Sequence, residues 1–382
     1  ADIAGGGPIT EWCSDGRPKT GLVRCEDGNL RYFDPETGAM VTNQWHNEYE
    51  AVWYYFGADG TAVSGWQSIG GDKYYFYPES HDMAYGRVQI DGKNYFLNTP
   101  GANADGRMQH SGWFYDSIYG KWSYATSDGE LLTGWHNLGG AWYYFNESGV
   151  MLTGWINDSG TWYYTNASGA MVTGWLNIGG TWFYLDGSGA MVANSWRSLG
   201  GSWYWFGDSG TMATGWFLAG GSWYYASGSG AMATGWLSNG GTWYWLGGSG
   251  AMASNSWANV GGVWYWFDDS GAMATGWRQV GGAWYHFSGS GAMAHDAWVG
   301  DYYLQSSGAM ATNAWVGSYY VGEDGKWIPG YGLVWYKNGS DVYHTHKCRT
   351  VGKDAKGYSQ ISIQEAQRRG ASRECKNCQQ IG

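Results

Sequence analysis

Two sets of residues in this chain have the types and spacing to do chemistry. The first is a series of paired tryptophans. From Thr133 onward a Trp opens a unit at Trp135, Trp155, Trp175, Trp196, Trp216, Trp236, Trp257 and Trp277. A second Trp follows seven residues later, at Trp142, Trp162, Trp182, Trp203, Trp223, Trp243, Trp264 and Trp284. Openers at Trp298 and Trp315 continue the series, and a Met closes each unit from Met151 to Met293. The second set lies near the C-terminus, where His344-x3-Cys348 and Cys375-x2-Cys378 bring four metal-binding side chains into one short segment.

One Trp per unit can be packed away. Two in every twenty residues, with Tyr and Met beside them, exceed what a thin stack of strands can hide, so part of the ring surface faces solvent between units. Facing rings make a box. A box without charged or amide side chains suits a quaternary ammonium, a cation that has no N–H and is held by ring faces. Sugars also stack on Trp but need side chains for their hydroxyls. Asn137, Asn157, Asp158 and Asn177 could serve them, although the position drifts to Ser198, Leu218 and Ser238. The His/Cys set matches tetrahedral zinc, and four protein ligands leave no open position, which reads as a structural site. A Cys375–Cys378 disulfide with Cys348 free is the other reading, and His346 is the alternative histidine ligand.

The elements that must position these residues repeat every 20 or 21 residues. The Trp-Tyr-Tyr or Trp-Tyr-Trp run is strand-prone. The Ser-Gly after it supplies positive φ for a tight turn, and Ala-Met-Ala/Val-Thr makes the return strand, with Gly-Gly left in the loop before the next Trp. Such a hairpin is marginal alone. It must bury its faces on its neighbours, so the expected fold is all-β, a solenoid of stacked hairpins. Asn194-Ser195-Trp196 and Asn255-Ser256-Trp257 depart from the usual Thr-Gly-Trp opener and lie three units apart, which suggests three hairpins per superhelical turn.

The chain divides into an N-terminal segment 1–19 with a candidate Cys13–Cys25 disulfide, degenerate repeats over 20–130, regular repeats over 131–330, and a small α+β zinc-type module over 331–382. In the last, Ser362 reads as a helix N-cap, Glu365 stands at the capping-box position and Gly370 is the stop.

The run Thr173-Gly174-Trp175, Gly180-Thr181-Trp182-Phe183-Tyr184, Gly189-Ala190-Met191 resembles the choline-binding cell-wall repeat of Gram-positive surface proteins. The resemblance is close over about 131–320 and looser over 20–130. It implies a left-handed solenoid in which choline of teichoic acid lies between consecutive hairpins, on two aromatics of one unit and one of the next, with a Met nearby. Carried over, the sites are Trp135, Trp142 and Tyr163; Trp155, Trp162 and Phe183; Trp175, Trp182 and Tyr204; Trp196, Trp203 and Tyr224; Trp216, Trp223 and Tyr244; Trp236, Trp243 and Tyr265; Trp257, Trp264 and Tyr285; and Trp277, Trp284 and Tyr302. Alternation along a strand leaves open whether Tyr163 or Tyr164 reaches the preceding Trp pair; the resemblance points to Tyr163. The Gly-Gly loops and heavy Trp use depart from the pneumococcal form. Related aromatic repeats of glucan-binding and toxin proteins bind sugars, so a glucan- or host-glycan-binding solenoid is the alternative. The C-terminal Tyr-His-x3-Cys…Cys-x-x-Cys pattern is similar to a small metal-binding module appended to nuclease and surface proteins.

Composition agrees with a binding protein. The chain of 382 residues has 66 Gly, 29 Trp, 31 Tyr and a net charge of −11. An acidic, aromatic surface disfavours nucleic acid and tolerates a cationic ligand. No run of 18 apolar residues exists to span a membrane. No nucleophile–base pair, phosphate loop or carboxylate pair stands out. The expectation is therefore a non-catalytic, extracellular module on the bacterial cell surface, anchoring or targeting by choline boxes on the wall polymer, with structural zinc and no catalytic cofactor.

Overall fold

A computed structural model describes residues 20–100 and 105–379. Cys13 lies outside them; Cys25 is disulfide-bonded and buried. The chain forms two compact units, one of the residues up to 195 with 206–211, the other of 196–205 with 212–382. Each is described by itself.

Both units are built from the same two-stranded antiparallel hairpin. In the first unit Gly134–Leu138 pairs with Ala141–Phe145, in the register Trp135↔Tyr144 and Asn137↔Trp142. In the second, Gly235–Asn239 pairs with Thr242–Leu246 in the same way. The partners are thus the opener strand and the aromatic strand, joined through Gly-Gly. This corrects the expectation that the aromatic run pairs with the Met segment. The physical reason is turn geometry. Gly139 and Gly140 both take positive φ, 66° and 91°, which is the two-residue turn whose twist matches paired strands. The Ser-Gly turn leads only to a single bridge, Phe145↔Met151.

That bridging segment stitches hairpins together. Val172 donates its N–H to Tyr164 of its own hairpin, while Met171 donates to the Trp142 carbonyl of the preceding one. Met252 and Met273 do the same to Trp223 and Trp243 in the second unit. The last residue of each aromatic strand is sealed beneath: Phe145 and Leu185 are fully buried in one unit, Leu246 and Phe267 in the other. Contacts also reach hairpins farther along. Arg24 donates to the Glu79 carbonyl and Asn94 to that of Glu147, so the strand of one hairpin meets the turn closing the second hairpin after it.

The Asn-Ser openers have a local cause. Asn194 and Asn255 take left-handed backbone, φ 50° and 45°, and donate to Gly207 and Asp268 carbonyls. Asn43, Asp296 and Asn313 repeat this geometry. One inserted residue, of a type that tolerates positive φ, lengthens those units.

The second unit ends in a four-stranded sheet ordered Ser359–Ser362, Leu333–Tyr336, Val342–His344, Arg373–Glu374. One helix, Ile363–Arg368, packs on it and buries Ala366. Ser362 caps this helix, its hydroxyl accepting the Glu365 N–H at 3.1 Å. Glu365 does not complete a capping box; its carboxylate is taken by Arg368 and Arg369.

Turn glycines sit directly on methionines. A Cβ on Gly189, φ 85°, would strike the Met171 side chain, whereas one on Gly179, φ 59°, would meet nothing within 4 Å. Gly179→Ala should therefore cost only left-handed strain, about 1 kcal/mol. Gly189→Ala should add an overpacking cost of about 1–3 kcal/mol, and adding Met171→Ala should recover part of it. Denaturant melts of the three variants provide the comparison; equal losses at both glycines would exclude the close packing.

Candidate functional site

Several opener Trp are gripped edge-on by two rings. Trp135 lies 5.0 Å from Tyr144, its cross-strand partner, and 5.0 Å from Tyr163 of the next hairpin. Tyr164 turns instead to Trp155 of its own hairpin, at 5.2 Å. The following boxes repeat this. Trp155 meets Phe183 at 5.0 Å and Trp162 at 6.3 Å. Trp196 meets Tyr224, Trp216 meets Tyr244 and Trp257 meets Tyr285, each at 4.9 Å. Trp236 meets Tyr265 at 4.8 Å, and Trp277 meets Tyr302 at 5.3 Å. Trp175 and Trp182 stand 6.0 Å apart at 90°; Tyr204 occupies the middle of the strand Ser202–Phe206.

The second Trp of each pair is the open wall. Trp142, Trp162, Trp182, Trp203, Trp223, Trp243, Trp264 and Trp284 are all exposed, 41–49%. An indole left that open on a rigid strand presents its face to whatever enters. Where the pair is close, the two planes are nearly perpendicular, 85° in Trp236–Trp243 and Trp257–Trp264, so they form a corner.

The cavities between show what else lines them. Trp135, Trp142 and Tyr163 share theirs with Met171 and with Gly187 and Ser188. Trp257, Trp264 and Tyr285 share theirs with Met293, Ser306 and Ser307. Trp277, Trp284 and Tyr302, around about 380 Å³, add Met310 and Asp324. Each box therefore draws on three hairpins: two rings from the first, a ring and a Met from the second, and the closing turn of the third. The turn residues were not legible in the sequence, because they lie some fifty residues from the opener. The turn above Trp277 carries a carboxylate, that of Asp324.

A box upstream also escaped the sevenfold spacing. Trp113 lies 6.4 Å from Trp122 and 4.9 Å from Tyr143, and Met151 bonds to Trp122 as Met171 does to Trp142. Trp122 stands nine residues after its opener because the Asp116–Lys121 connection is longer. The signal was the Lys121-Trp122-Ser123-Tyr124 strand itself.

Of the groups offered to a sugar, the amide oxygens are engaged elsewhere. The side-chain oxygens of Asn137, Asn157 and Asn177 accept the N–H groups of Gly140, Gly160 and Gly180 at 3.1–3.2 Å. They hold the hairpin turns.

In the C-terminal module, His344, Cys348, Cys375 and Cys378 are all buried, with candidate ligand atoms within 4.8 Å of one another. His344 Nδ1 lies 3.3 Å from the Cys348 sulfur, and the Cys348 and Cys375 sulfurs are 4.0 Å apart. All three cysteines are free thiols, so the Cys375–Cys378 disulfide does not form, and His346 is not in the cluster. Burial alone would raise the Cys348 thiol, but N–H groups of Val351 and Thr350 and the His344 ring outweigh it and hold it at about 6. Burial pushes the Cys378 thiol up. Donor type, spacing and convergence fit tetrahedral zinc.

Trp223→Ala should cost less ligand-free stability than loss of the opener, because its ring is 46% exposed, yet reduce calorimetric stoichiometry by about one. Trp216→Ala should lose the same site at a larger stability cost, still below the roughly 3–5 kcal/mol of a core Trp. Neighbouring boxes should keep their ligand, since stacked hairpins feel mainly their nearest neighbours. Unchanged stoichiometry in both variants would show these rings to be packing alone.

Comparison with known proteins places these repeats. Two profiles described as choline-binding repeats match, one at 132–172, 153–196, 193–234 and 255–298 and the other at 292–327. A cell wall binding repeat matches 43–62, 64–78 and 234–252. Among solved structures, CbpJ from Streptococcus pneumoniae TIGR4 is 32% identical, covering 75% of this chain and all of that one, with a TM-score of 0.41. Choline binding protein F from Streptococcus pneumoniae is 28% identical over 75% of this chain and 98% of that one, TM-score 0.43. Glucosyltransferase-S of Streptococcus mutans is 33% identical over 120 residues, 31% of this chain; the match spans only 8% of that relative's length.

Proposed function

This chain belongs to the choline-binding repeat family, and from that premise we propose that its ring boxes hold the quaternary ammonium of choline displayed on a bacterial wall polymer. The observation that carries the reading is the repeated box of two Trp, one Tyr or Phe and one Met, open on its Trp side. In the regular boxes the asparagine oxygens nearest the second Trp are spent on hairpin turns. A trimethylammonium head needs none of them: it has no N–H to satisfy and gains from every ring face it covers.

The magnitudes suit a polymer better than a free molecule. Each ring contributes about 0.5–2 kcal/mol, so a single box binds choline on the order of millimolar. Boxes at fixed spacing multiply on a polymeric ligand through effective concentration. The functional reading is therefore anchoring or targeting to choline-decorated teichoic acid at the cell surface. The repeats of 131–330 supply the regular boxes and those of 20–130 altered ones.

Millimolar choline should raise the melting temperature and elute the protein from a tertiary- or quaternary-amine resin. The uncharged isostere 3,3-dimethylbutan-1-ol should do so at least about tenfold less well, because it lacks the cation–ring attraction. If choline changes neither melting nor retention while a soluble glycan changes both, the sugar reading replaces this one.

The module at 331–382 is proposed to be a zinc-stapled domain, with His344, Cys348, Cys375 and Cys378 as ligands. A sheet of short strands and one six-residue helix has little apolar material of its own. Elemental analysis of protein purified without chelator should give one zinc per chain, and Cys375→Ser should abolish it and loosen this module while choline binding persists. Metal-free protein with an intact fold at 331–382 would refute the staple.

A further inference from the structure

One hairpin keeps the box and changes its walls. Gly65–Ile69 pairs with Asp72–Phe76 in the usual register, Ser68↔Lys73 standing where Asn137↔Trp142 stands downstream. The opener is present: Trp66 is 37% exposed and lies 4.9 Å from Tyr95 of the next hairpin. The Met is present as Met108, and the turn of the third hairpin contributes Asp128. What has changed is the open wall, where Lys73 replaces the second Trp. Gln67 and Ser68 complete the lining. The amide nitrogen of Gln67 is tied to the Ser64 carbonyl at 2.7 Å, which fixes the side chain in place.

This lining is wrong for a quaternary ammonium. One ring wall is gone, and an ammonium stands in its place, so a cation entering would lose ring contact and meet like charge. An anion would face Asp128. The set that remains is one indole face, one ammonium donor, one carboxylate acceptor, a hydroxyl and an amide, around one pocket. A pyranose presents the complement: an apolar C–H face to lie on the indole, and hydroxyls around its edge that both donate and accept. Pockets of this make-up orient a ligand with a few placed polar groups over an aromatic floor, and a site built to hydrogen-bond hydroxyls rejects ligands that lack them.

We propose that the Trp66–Tyr95–Lys73–Asp128 pocket is a sugar site, binding one pyranose unit of a glycan strand beside the ammonium boxes of the same chain. The pocket and the ligand class differ from those of the choline reading, and only the choline arms of the test rest on it.

The test is indole N–H spectroscopy on protein with 15N-labelled Trp, the Trp66 signal being assigned through Trp66→Phe. The probes are choline, an N-acetylglucosamine trisaccharide and isomaltotriose, added separately. At least one sugar should shift the Trp66 signal, while choline at concentrations that saturate the regular boxes should not. Asp128→Asn should weaken the sugar response about tenfold. Lys73→Trp should abolish it and add about one choline per chain, an outcome that also shows the variant to be folded. A choline response at Trp66 matching the regular boxes would overturn the proposal, as would silence of Trp66 toward both sugars.

Discussion

A hairpin of two five-residue strands has no interior, and the rest of this structure depends on that constraint. Two strands bury nothing by themselves, so each apolar face must be covered by the next hairpin or left to solvent. The last residue of the aromatic strand resolves this for the inner face: Phe145, Leu185, Leu246 and Phe267 are sealed by the adjoining bridge segments. The outer face is covered only in part, because the opener Trp reaches the next hairpin's ring and the second Trp does not. The ring boxes are what such stacking leaves uncovered. By the period-two alternation of the strands, the two Trp of a box share one face of their hairpin, while its third ring, such as Tyr163, shares the other face of the next hairpin with the core residue Thr165.

The Met–Gly contact ties the two together. Met171 bonds through its backbone to the preceding hairpin, lines the box of Trp135 with its side chain, and lies under Gly189 of the next turn. The same triple role explains why a soft, unbranched residue recurs there. Met adapts to a gap whose walls come from three hairpins, and its thioether is at ease beside ring edges. Gly is required opposite for two reasons that coincide, positive φ and the absence of room for a Cβ.

Much of this was legible in the sequence because it is periodic. The openers, the second Trp series and the Met series mark the Trp pairs by spacing, the third ring of each box came from the family resemblance, and His-x3-Cys with Cys-x-x-Cys gives the C-terminal cluster. What was not legible was strand partnership. Ser-Gly and Gly-Gly are both turn signals, and only paired positive φ at Gly139 and Gly140 decides which one closes the hairpin. Contributions from distant turns, such as Asp324 to the Trp277 box, were hidden because no local pattern links residues so far apart. Upstream, insertions shift the register: two extra residues move Trp122 off the sevenfold spacing. There the packing also changes kind. Arg87, half-buried over Phe96, lies 3.4 Å from the buried Asp116 and donates to the buried Ser123 hydroxyl, polar groups that a search for apolar periodicity passes over.

The arrangement separates what holds the fold from what selects the ligand. The opener Trp, the next hairpin's ring and the terminal core residue all make ring or backbone contacts within the stack. The second-Trp position joins the stack through its backbone carbonyl, which accepts the Met N–H at Trp142 and at Lys73 alike, while its side chain is 41–49% exposed where it is Trp. A change there alters the chemistry of one box and leaves the stack intact. Lys73 is such a change: Tyr74 and Phe76 beside it remain buried and Trp66 still meets Tyr95. The closing turn is the other free position, where Ser188, Ser307, Asp128 and Asp324 occur over otherwise similar pockets. A stack of such hairpins can therefore carry boxes of different charge and polarity side by side, each tuned at two positions that its own core does not use.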